Sequence, residues 1–286
     1  MLELRSPDGS VELELLPEVG GRIHRLRIDG HDVLRTPSDT GEHVREPLLW
    51  GSYPMVPWCN RIPDGQLWFG GAMHQQAITL DTFAIHGRAY TAVWQVAADG
   101  ELTFSDPGDT GFPWSYRARQ RFEIDNTGIT LELALENTGT TSMPAGLGIH
   151  PWFADHGGLA VTLPAELVYP SEGNLPTGSP VPVTGDRDLR LATVPNPGID
   201  ECWTGLSAAV IRMHRLADNL RVDYTFSTDA THVVLAALPA YSAIAVEPQT
   251  HAVASLGVLE PGRTMSVSYE IQRGPTQLTR AQITRA

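Results

Sequence analysis

Short stretches in which apolar and polar residues alternate recur along most of the chain, whereas few segments repeat with the period of a helix. Such alternation predicts half-buried antiparallel strands whose apolar side faces a core. The sequence Asp-Asn-Thr-Gly between two of these stretches predicts a hairpin turn. Strands this numerous predict an all-β protein with a large sandwich or paired-sheet fold. The six clearest stretches are 11–16, 102–105, 119–124, 129–135, 220–226 and 265–271.

The 27 glycines and 22 prolines are spread over the whole length, and the chain has no low-complexity linker and no repeat of fixed period. We therefore predict one β-sandwich domain over residues 1–275 and a C-terminal tail over residues 276–286. Residues 170–198 are rich in proline and glycine and predict a long excursion. Such an excursion would form a lid or a wall of a binding groove.

Two apolar runs differ from the other predicted strands because each ends in an ionisable residue that precedes a proline. The run 242–250 carries Glu247 in this position, and the run 145–151 carries His150. A proline holds the preceding residue extended and removes a ladder donor, so both strands are expected to stop there. Each residue alone is more often a solvated or core residue at a strand end. A carboxylate and an imidazole held in the same way form a candidate acid–base pair.

Composition excludes several kinds of chemistry. All 20 basic residues are arginine, and without lysine the chain cannot form the Schiff base of an aldolase or a pyridoxal phosphate enzyme. It also lacks the Gly-Lys pair of a phosphate-binding loop and any His-Glu-x-x-His or Cys-x-x-Cys motif. We therefore predict no metal and no organic cofactor, which leaves proton transfer by side chains or binding without chemistry.

Charge and cysteine content limit partners and compartment. The net charge of -13 argues against nucleic acid and anionic membrane surfaces. The first residues have no apolar signal core, and the longest apolar region, 233–246, is too short to span a bilayer. The only cysteines, Cys59 and Cys202, predict no disulfide framework, so we expect a cytoplasmic protein. A two-thiol racemase is a second interpretation, but small buried side chains are the favoured one.

Four polar residues elsewhere in the chain are candidate sugar contacts. Arg61 presents a fork of donors for hydroxyl oxygens, and Asn60 can both donate and accept. His86 precedes a glycine that allows close approach, and Asp200 follows a Pro-Gly turn. Taken singly, three of them have a plainer structural interpretation: an ion pair for Arg61, a core histidine for His86, or a turn-capping Asp200.

Together these segments resemble the aldose 1-epimerase (mutarotase) family. The motifs stand in the family's order over residues 20–273. They are Asn60-Arg61-Ile62, Ile85-His86-Gly87, Gly148-Ile149-His150-Pro151, Asp200-x-x-Trp203 and Val246-Glu247-Pro248-x-Thr250.

The resemblance implies a galactose mutarotase-like supersandwich, a large antiparallel β-sandwich with a sugar groove on one concave face. It also implies roles for five residues. Glu247 matches the general base and His150 the general acid, while Arg61, His86 and Asp200 match residues that hold ring hydroxyls. Candidate platforms for the apolar face of a sugar are Trp58, Trp152 and Trp203.

The chemistry of these residues agrees with that assignment. Opening a hemiacetal ring removes the proton of the anomeric hydroxyl and protonates the ring oxygen. We expect Glu247 and His150 to face each other across a gap the size of a pyranose and to exchange roles on re-closure. We therefore predict a cofactor-independent isomerase that acts on a small sugar. The alternatives are a non-catalytic sugar-binding or regulatory protein and a sugar-phosphate 1-epimerase, in which Arg61 or Arg88 would meet the phosphate. The identity of the sugar, the anomeric preference and the oligomeric state are left open.

Overall fold

The structure, a computed structural model, describes residues 1–238 and 240–275 and the backbone of Thr284–Arg285. It consists mainly of antiparallel strands. Within the described residues the helical segments are one four-residue helix, α1 (Glu42–Arg45), and two 3₁₀ turns, Ala89–Thr91 and Gly185–Arg187. The prediction of an all-β protein is therefore confirmed.

The strands are numbered in chain order. They are β1 (Leu2–Arg5), β2 (Val11–Leu16), β3 (Arg22–Ile28), β4 (His31–Asp32), β5 (Ser52–Met55), β6 (Arg61–Pro63), β7 (Gln66–Phe69), β8 (Ala72–Gln75), β9 (Phe83–Ile85), β10 (Gln95–Val96), β11 (Leu102–Asp106), β12 (Tyr116–Ile124), β13 (Gly128–Asn137), β14 (Met143–Ala145), β15 (Gly148–Ala154), β16 (Leu159–Thr162), β17 (Ala165–Val168), β18 (Ser171–Glu172), β19 (Leu175–Pro176), β20 (Val181–Pro182), β21 (Thr193–Val194), β22 (Ile199–Leu206), β23 (Val210–Arg215), β24 (Leu220–Phe226), β25 (His232–Ala237), β26 (Ala243–Gln249), β27 (Gly257–Leu259), β28 (Thr264–Arg273) and β29 (Thr284–Arg285).

Most of these strands belong to two large sheets. The first sheet has the order β1-β2-β3-β5-β15-β26-β25-β22-β17-β20, with β4 attached to β3. The second has the order β10-β11-β12-β13-β28-β24-β23-β16-β21-β29. Neighbouring strands are antiparallel except for β21 and β29, which pair in parallel. The pairs β6 with β9, β7 with β8, β14 with β27 and β18 with β19 complete the architecture.

The two large sheets pack face to face around a shared apolar core. The rings of Phe153 on β15 and Tyr224 on β24 lie 5.5 Å apart between centroids, which joins the two layers. The hydroxyl of Tyr269 on β28 donates a hydrogen bond of 3.3 Å to the carbonyl oxygen of Pro248 on β26. The arrangement is the β-sandwich that the alternating pattern predicted.

The six predicted strands all form. The strands β2 and β24 have the predicted bounds, and β11, β12, β13 and β28 extend the predicted stretches by one to three residues. The predicted hairpin turn joins β12 to β13. Its Asp125 carboxylate accepts hydrogen bonds from the backbone N–H groups of Thr127 and Gly128, which explains why this sequence turns here.

The prediction that two strands stop at their prolines is wrong. The strand β15 continues through Pro151, which lies opposite Ser52, and β26 continues through Pro248, which lies opposite Val233. A proline stays in a ladder where its nitrogen is not needed as a donor. His150 therefore lies inside its strand, and Glu247 is followed by two further strand residues.

Side chains on these two central strands alternate between the shared core and the opposite face of the first sheet. On β26, Ile244 and Val246 belong to the core, and on β15 so does Ile149. Because successive side chains of a strand point to opposite faces, His150 and Glu247 point away from the core. The outer face of the first sheet is therefore where the candidate chemistry lies.

The proline- and glycine-rich segment 170–198 contains the short strands β18 to β21. Its Asn174 donates a hydrogen bond of 2.5 Å to the Asp200 carboxylate, so part of the segment forms a wall beside β22. The predicted tail, 276–286, lies outside the described residues apart from the backbone of β29. The described residues include no helix with the length and apolarity that a membrane crossing requires.

A tight backbone turn after β9 sets the position of His86. Both His86 and Gly87 have positive φ angles, 58° and 76°. The His86 N–H donates to the carbonyl oxygen of Asn60 at 3.0 Å, which ties this turn to the start of β6. A Cβ atom on Gly87 would lie 2.0 Å from the carbonyl oxygen of Val56, so only glycine is accommodated.

Replacing Gly87 with alanine should lower the free energy of unfolding by at least ~2 kcal/mol, because left-handed strain and a backbone clash act together. Gly100→Ala is the matched control, since Gly100 also has a positive φ, 86°, but its Cβ would meet nothing within 4 Å. The free energy of unfolding of that control should fall by only about 1 kcal/mol. Urea denaturation followed by tryptophan fluorescence measures both values, and equal losses would contradict the clash at Val56.

Candidate active site

His150 and Glu247 are direct neighbours across two paired strands. The register of β15 with β26 places Gly148 opposite Gln249, and this register sets residue 150 opposite residue 247. Cross-strand neighbours on one face are close enough for their side chains to touch. The His150 Nε2 atom lies 3.1 Å from the Glu247 Oε1 atom. The structure thus brings together the two residues that the sequence singled out as a pair.

The expectation of a pyranose-sized gap between these two groups is wrong. A separation of 3.1 Å leaves no room for a ring between them, because their strands are adjacent in the sheet. Hemiacetal chemistry does not require that gap. The anomeric hydroxyl oxygen and the ring oxygen are bonded to the same carbon, so a donor and an acceptor placed side by side can reach both from one side of the sugar.

The pair lines a cavity of about 130 Å³ on the outer face of the first sheet. Its lining is mostly apolar with a smaller number of polar groups, a division common in small-molecule sites. All six residues predicted as catalytic or sugar-binding line this one cavity: Asn60, Arg61, His86, His150, Asp200 and Glu247.

Burial changes the proton affinities of the pair in opposite directions. His150 and Glu247 are only 5% and 2% exposed. Burial, with smaller contributions from the cations Arg61 and Arg22, lowers the pKa of His150 from 6.5 to about 3. Burial also raises the pKa of Glu247 well above its ordinary 4.5, and the nearby Asp200 carboxylate raises it further while Arg61 opposes the rise. The neutral forms of both groups are therefore favoured, and one proton is shared between them.

Each member of the pair keeps one polar atom available. The His150 Nδ1 and Glu247 Oε2 atoms are buried and have no hydrogen-bond partner among the described residues. Buried polar atoms are normally paired, so unpaired ones mark places where a ligand completes the hydrogen bonding. The acid–base pair is thus arranged to accept polar groups from a bound molecule.

A short network holds the guanidinium of Arg61 over the cavity. Its Nη2 atom lies 2.9 Å from the Asp200 Oδ2 atom, and its Nη1 atom donates to the Asn60 Oδ1 atom at 3.0 Å. Asn174 donates to the same Asp200 oxygen. Asn60 therefore orients Arg61 with its side-chain oxygen, a role that the sequence did not reveal, and keeps its Nδ2 atom as a donor.

The hydrogen bonding of His86 fixes which of its nitrogens carries the proton. The backbone N–H of Asn60 donates to the His86 Nδ1 atom at 3.1 Å, so Nδ1 is an acceptor and Nε2 bears the proton of the neutral ring. Burial, followed by the effects of His150 and Arg61, lowers the pKa of His86 well below 6.5. His86 is therefore a neutral donor suited to a hydroxyl oxygen.

Three cavity residues have the composition of a metal site. Ligand atoms of His86, His150 and Glu247 lie within 4.8 Å of one another. His86 does not suit coordination, however, because its Nδ1 lone pair accepts the Asn60 N–H and its Nε2 carries a proton. The hydrogen bonding of the described residues therefore favours proton transfer over metal binding here.

The three tryptophans proposed as sugar platforms lie in different parts of the structure. Trp152 lines the cavity, and its Nε1 atom donates to the carbonyl oxygen of Leu48 at 2.7 Å, so its ring is fixed. Trp58 and Trp203 instead belong to the shared apolar core. Trp152 alone of the three can present an aromatic face to a sugar in this cavity.

The two cysteines are buried and carry no disulfide. Burial raises the pKa of Cys59 well above 9.0, and the nearby Glu247 raises it further. Burial likewise raises the pKa of Cys202 to about 12. A thiol held protonated is a poor nucleophile and a poor base, so the two-thiol interpretation loses its chemical basis.

Tyr53 and the apolar lining were not identified from the sequence. Tyr53 lies opposite His150 on β5, and their rings are stacked with centroids 4.6 Å apart. The apolar part of the cavity includes Leu49, Leu238 and Tyr241. Tyr53 precedes a proline, as His150 and Glu247 do, but so do other ionisable residues such as Asp106 and Tyr169, so this signal alone could not single it out. Leu49 precedes β5, whereas Leu238 and Tyr241 lie between β25 and β26, so these apolar residues share no sequence pattern.

The sequence of the chain has known relatives. Residues 6–272 match the Aldose 1-epimerase family, and the chain belongs to that family. It is 32% identical over 113 residues to the uncharacterized protein YihR of Escherichia coli strain K12. That match spans 37% of this chain and 37% of YihR. Family membership confirms the resemblance noted in the motifs, although the chain spans at most about half the length of the curated relatives it matches.

Solved structures show the same fold. A galactose mutarotase-like protein from Clostridium acetobutylicum superposes with a TM-score of 0.80 at 20% identity, covering 92% of each chain. A galactose 1-epimerase from Lactobacillus acidophilus superposes with a TM-score of 0.77 at 18% identity, covering 94% of this chain and 93% of that one. The predicted galactose mutarotase-like supersandwich is therefore confirmed as the fold.

The neutral state of His86 predicts a pH-dependent contribution to stability. The folded protein keeps His86 uncharged, whereas the unfolded chain takes up a proton below about pH 6.5, so the wild type loses stability as the pH falls. The free energy of unfolding that His86→Asn costs should therefore be smaller at pH 5.5 than at pH 7.5, by about 1.4 kcal/mol. Urea denaturation at both pH values measures it. A constant penalty would contradict a buried neutral His86.

Proposed function

We propose that the protein is a cofactor-independent aldose 1-epimerase in which Glu247 is the general base and His150 the general acid. The observation that carries this proposal is the 3.1 Å contact between the two side chains inside a cavity that Arg61, His86 and Asp200 also line. Binding alone does not require a buried donor–acceptor pair. The contact therefore favours an enzyme over a non-catalytic sugar-binding protein.

The proposed reaction moves two protons. The Glu247 carboxylate takes the proton from the anomeric hydroxyl while the His150 imidazolium donates one to the ring oxygen. The bond between the anomeric carbon and the ring oxygen breaks, and an open-chain aldehyde forms. Rotation about the bond from the aldehyde carbon exposes its other face. Re-closure reverses both proton transfers, so the pair returns to its starting state with the other anomer bound.

The remaining polar residues of the cavity hold the sugar. The Arg61 guanidinium and the His86 Nε2–H donate to hydroxyl oxygens, and the Asp200 carboxylate accepts from hydroxyl groups. Trp152 and its apolar neighbours pack against the C–H groups of the sugar. Donors and the acceptor in fixed positions restrict the sugar to orientations in which its anomeric carbon lies at the acid–base pair.

The charges around the cavity favour an uncharged aldose over a sugar phosphate. Arg61 is already paired with Asp200, and Glu247 adds a second carboxyl group to the lining. Arg88 is engaged by Asp106 and Asp109 and lines a separate cavity of about 590 Å³. Both arginines are therefore already balanced by carboxylates, and neither offers a free positive charge to a phosphate in this cavity.

Removing either member of the acid–base pair should abolish most of the activity. Glu247→Gln and His150→Asn should each lower kcat/KM for anomer exchange by ~10²–10⁴-fold, because each substitution removes one proton transfer. Polarimetry on freshly dissolved aldoses, or exchange NMR between the two anomer signals at equilibrium, measures the rates.

Matched controls are Glu201→Gln and His232→Asn. Glu201 lies on β22 beside Asp200 but pairs with Arg187, and His232 contacts Tyr169. Neither lines the cavity, so both variants should keep the wild-type rate. Wild-type rates for Glu247→Gln and His150→Asn on a sugar that the protein turns over would refute the assigned mechanism.

Adding a phosphate to the best aldose substrate should raise KM at least tenfold, because the new charge meets the carboxyl groups of Glu247 and Asp200. The control is an O-methyl ether at the same carbon, which adds bulk without charge and should raise KM less. Steady-state polarimetry on the three compounds provides the comparison. A lower KM for the phosphate would establish a sugar-phosphate epimerase instead.

A further inference from the structure

Arg22 lies in the same cross-strand row as the acid–base pair. The register of β3 with β5 places Ile23 opposite Ser52, which sets residue 22 opposite residue 53. Tyr53 in turn lies opposite His150. One row therefore runs over four adjacent strands, from Arg22 through Tyr53 and His150 to Glu247, and we name it the catalytic row.

The charge of Arg22 is buried without an anion. The side chain is 0% exposed, and it donates to the carbonyl oxygens of Val19, Pro47 and Tyr90. Among the described residues it forms no ion pair with a carboxylate. Burial lowers its pKa to about 10, so it stays charged at neutral pH. A buried cation with neutral partners alone destabilises a fold, which points to a role beyond packing.

Two imidazoles, those of His43 and His24, continue the hydrogen bonding that starts at Arg22. Arg22 donates through Nη1 to the His43 Nδ1 atom at 3.1 Å, so the proton of neutral His43 lies on Nε2. That atom is 2.9 Å from His24 Nδ1, which therefore accepts, and His24 Nε2 lies 3.7 Å from the Glu14 carboxylate. Burial lowers the pKa of His43 to about 3. The guanidinium is thus fixed in position by the hydrogen-bond acceptors around it, one imidazole nitrogen and three carbonyl oxygens.

The ring of Tyr53 lies between Arg22 and His150. The guanidinium carbon of Arg22 is 5.2 Å from the Tyr53 ring centroid, and the His150 ring is stacked on Tyr53 at 4.6 Å with an interplanar angle of 21°. The guanidinium and the imidazole are therefore within about 10 Å of each other in buried surroundings. A proton on His150 would place a second cation next to the same ring.

We propose that Arg22 is a positioning residue that holds Tyr53 against His150 and opposes a positive charge on that imidazole, so that the shared proton rests on Glu247 in the sugar-free protein. This inference rests on the proposed function, because it assigns Arg22 to the acid–base pair. It adds Arg22, which does not line the cavity, to the residues that act on the acid–base pair.

Other charged and titratable groups also face His150. Glu247 favours an imidazolium, and His86 is neutral and contributes little. Arg61 opposes an imidazolium, but the Asp200 carboxylate at 2.9 Å offsets much of its field. Arg22 has no carboxylate partner among the described residues, so no neighbouring anion offsets its field. Arg22 therefore adds to burial, the largest cause, and to Arg61 in lowering the pKa of His150.

A shared proton that lies on Glu247 before the sugar binds makes the two side chains easier to separate. Two neutral groups in contact separate more easily in a buried cavity than two opposite charges, because the attraction between charges is strong at low dielectric constant. In the proposed reaction the anomeric hydroxyl must hydrogen-bond to Glu247 and the ring oxygen to His150, in place of the contact between the two side chains. These hydrogen bonds then stabilise the charged forms from which ring opening starts.

The test compares Arg22→Met, which removes the charge, with Arg22→Lys, which keeps a charge. Arg215→Met is the matched control, because Arg215 is also buried, at 2% exposure, but bonds to Asp218 and to the carbonyl oxygen of Asp32. Imidazole ¹⁵N NMR of the full chain without sugar reports the charge of His150, assigned with His150→Asn. Infrared spectroscopy reports the protonated carboxyl band of Glu247, assigned with Glu247→Gln.

In Arg22→Met the pKa of His150, read from a pH titration of its imidazole ¹⁵N signal, should rise by about one unit, and the Glu247 carboxyl band should weaken. Arg22→Lys should retain most of the wild-type titration, and Arg215→Met should leave both signals unchanged. An unchanged His150 signal in folded Arg22→Met would overturn the proposal. So would an equal change in Arg215→Met.

Kinetics separate this inference from the proposed function. If the protein turns over an aldose, Arg22→Met should raise KM more than it lowers kcat, because the charged pair resists separation. A merely structural role would lower the concentration of active protein without changing KM. Failure of every aldose to react would refute the proposed function, yet the two spectroscopic signals would still decide whether Arg22 controls the proton.

Discussion

The contact between His150 and Glu247 is the constraint on which the rest of the site depends. Two ionisable side chains are removed from water at a separation of 3.1 Å, and burial favours the neutral form of each. One proton between two groups is the minimum that concerted ring opening needs, because one group must donate while the other accepts. The fold contributes by holding the pair on two adjacent strands of a wide sheet, where a rigid backbone sets the distance.

Strand register links this chemistry to the fold. A slip of one residue between β15 and β26 would turn one member of the pair toward the shared core, because strand side chains alternate. Tyr53, His150 and Glu247 each precede a proline, which holds each of them in extended backbone. A backbone restricted at three neighbouring positions of one row resists local rearrangement. The catalytic row therefore depends on register in the same way as the apolar core does.

The sequence predicted the parts of the structure that local patterns determine. The alternation of apolar and polar residues predicted the bounds of β2 and β24. The family motifs identified the six polar residues Asn60, Arg61, His86, His150, Asp200 and Glu247 that line the cavity. The adjacency of β15 and β26 is a long-range pairing that no local pattern encodes, so the separation between His150 and Glu247 was predicted wrongly. The proline rule failed for the same reason, because a strand can continue through a proline when its neighbours do not need the missing donor. Arg22 and Tyr53 join the site only through strand order.

Burial also explains how a carboxylate and an imidazole can exchange roles within one turnover. In water the proton affinity of histidine exceeds that of glutamate, as the ordinary pKa values of 6.5 and 4.5 show, so an ion pair would hold the proton on the imidazole. Burial lowers the pKa of His150 and raises that of Glu247, which reverses this preference and favours the neutral form of each group in the sugar-free cavity. In the proposed mechanism the hydrogen bonds of the bound sugar stabilise the charged forms from which ring opening starts. The proposed ring opening and re-closure run the same two proton transfers in opposite directions, so the pair must be able to hold the proton on either group.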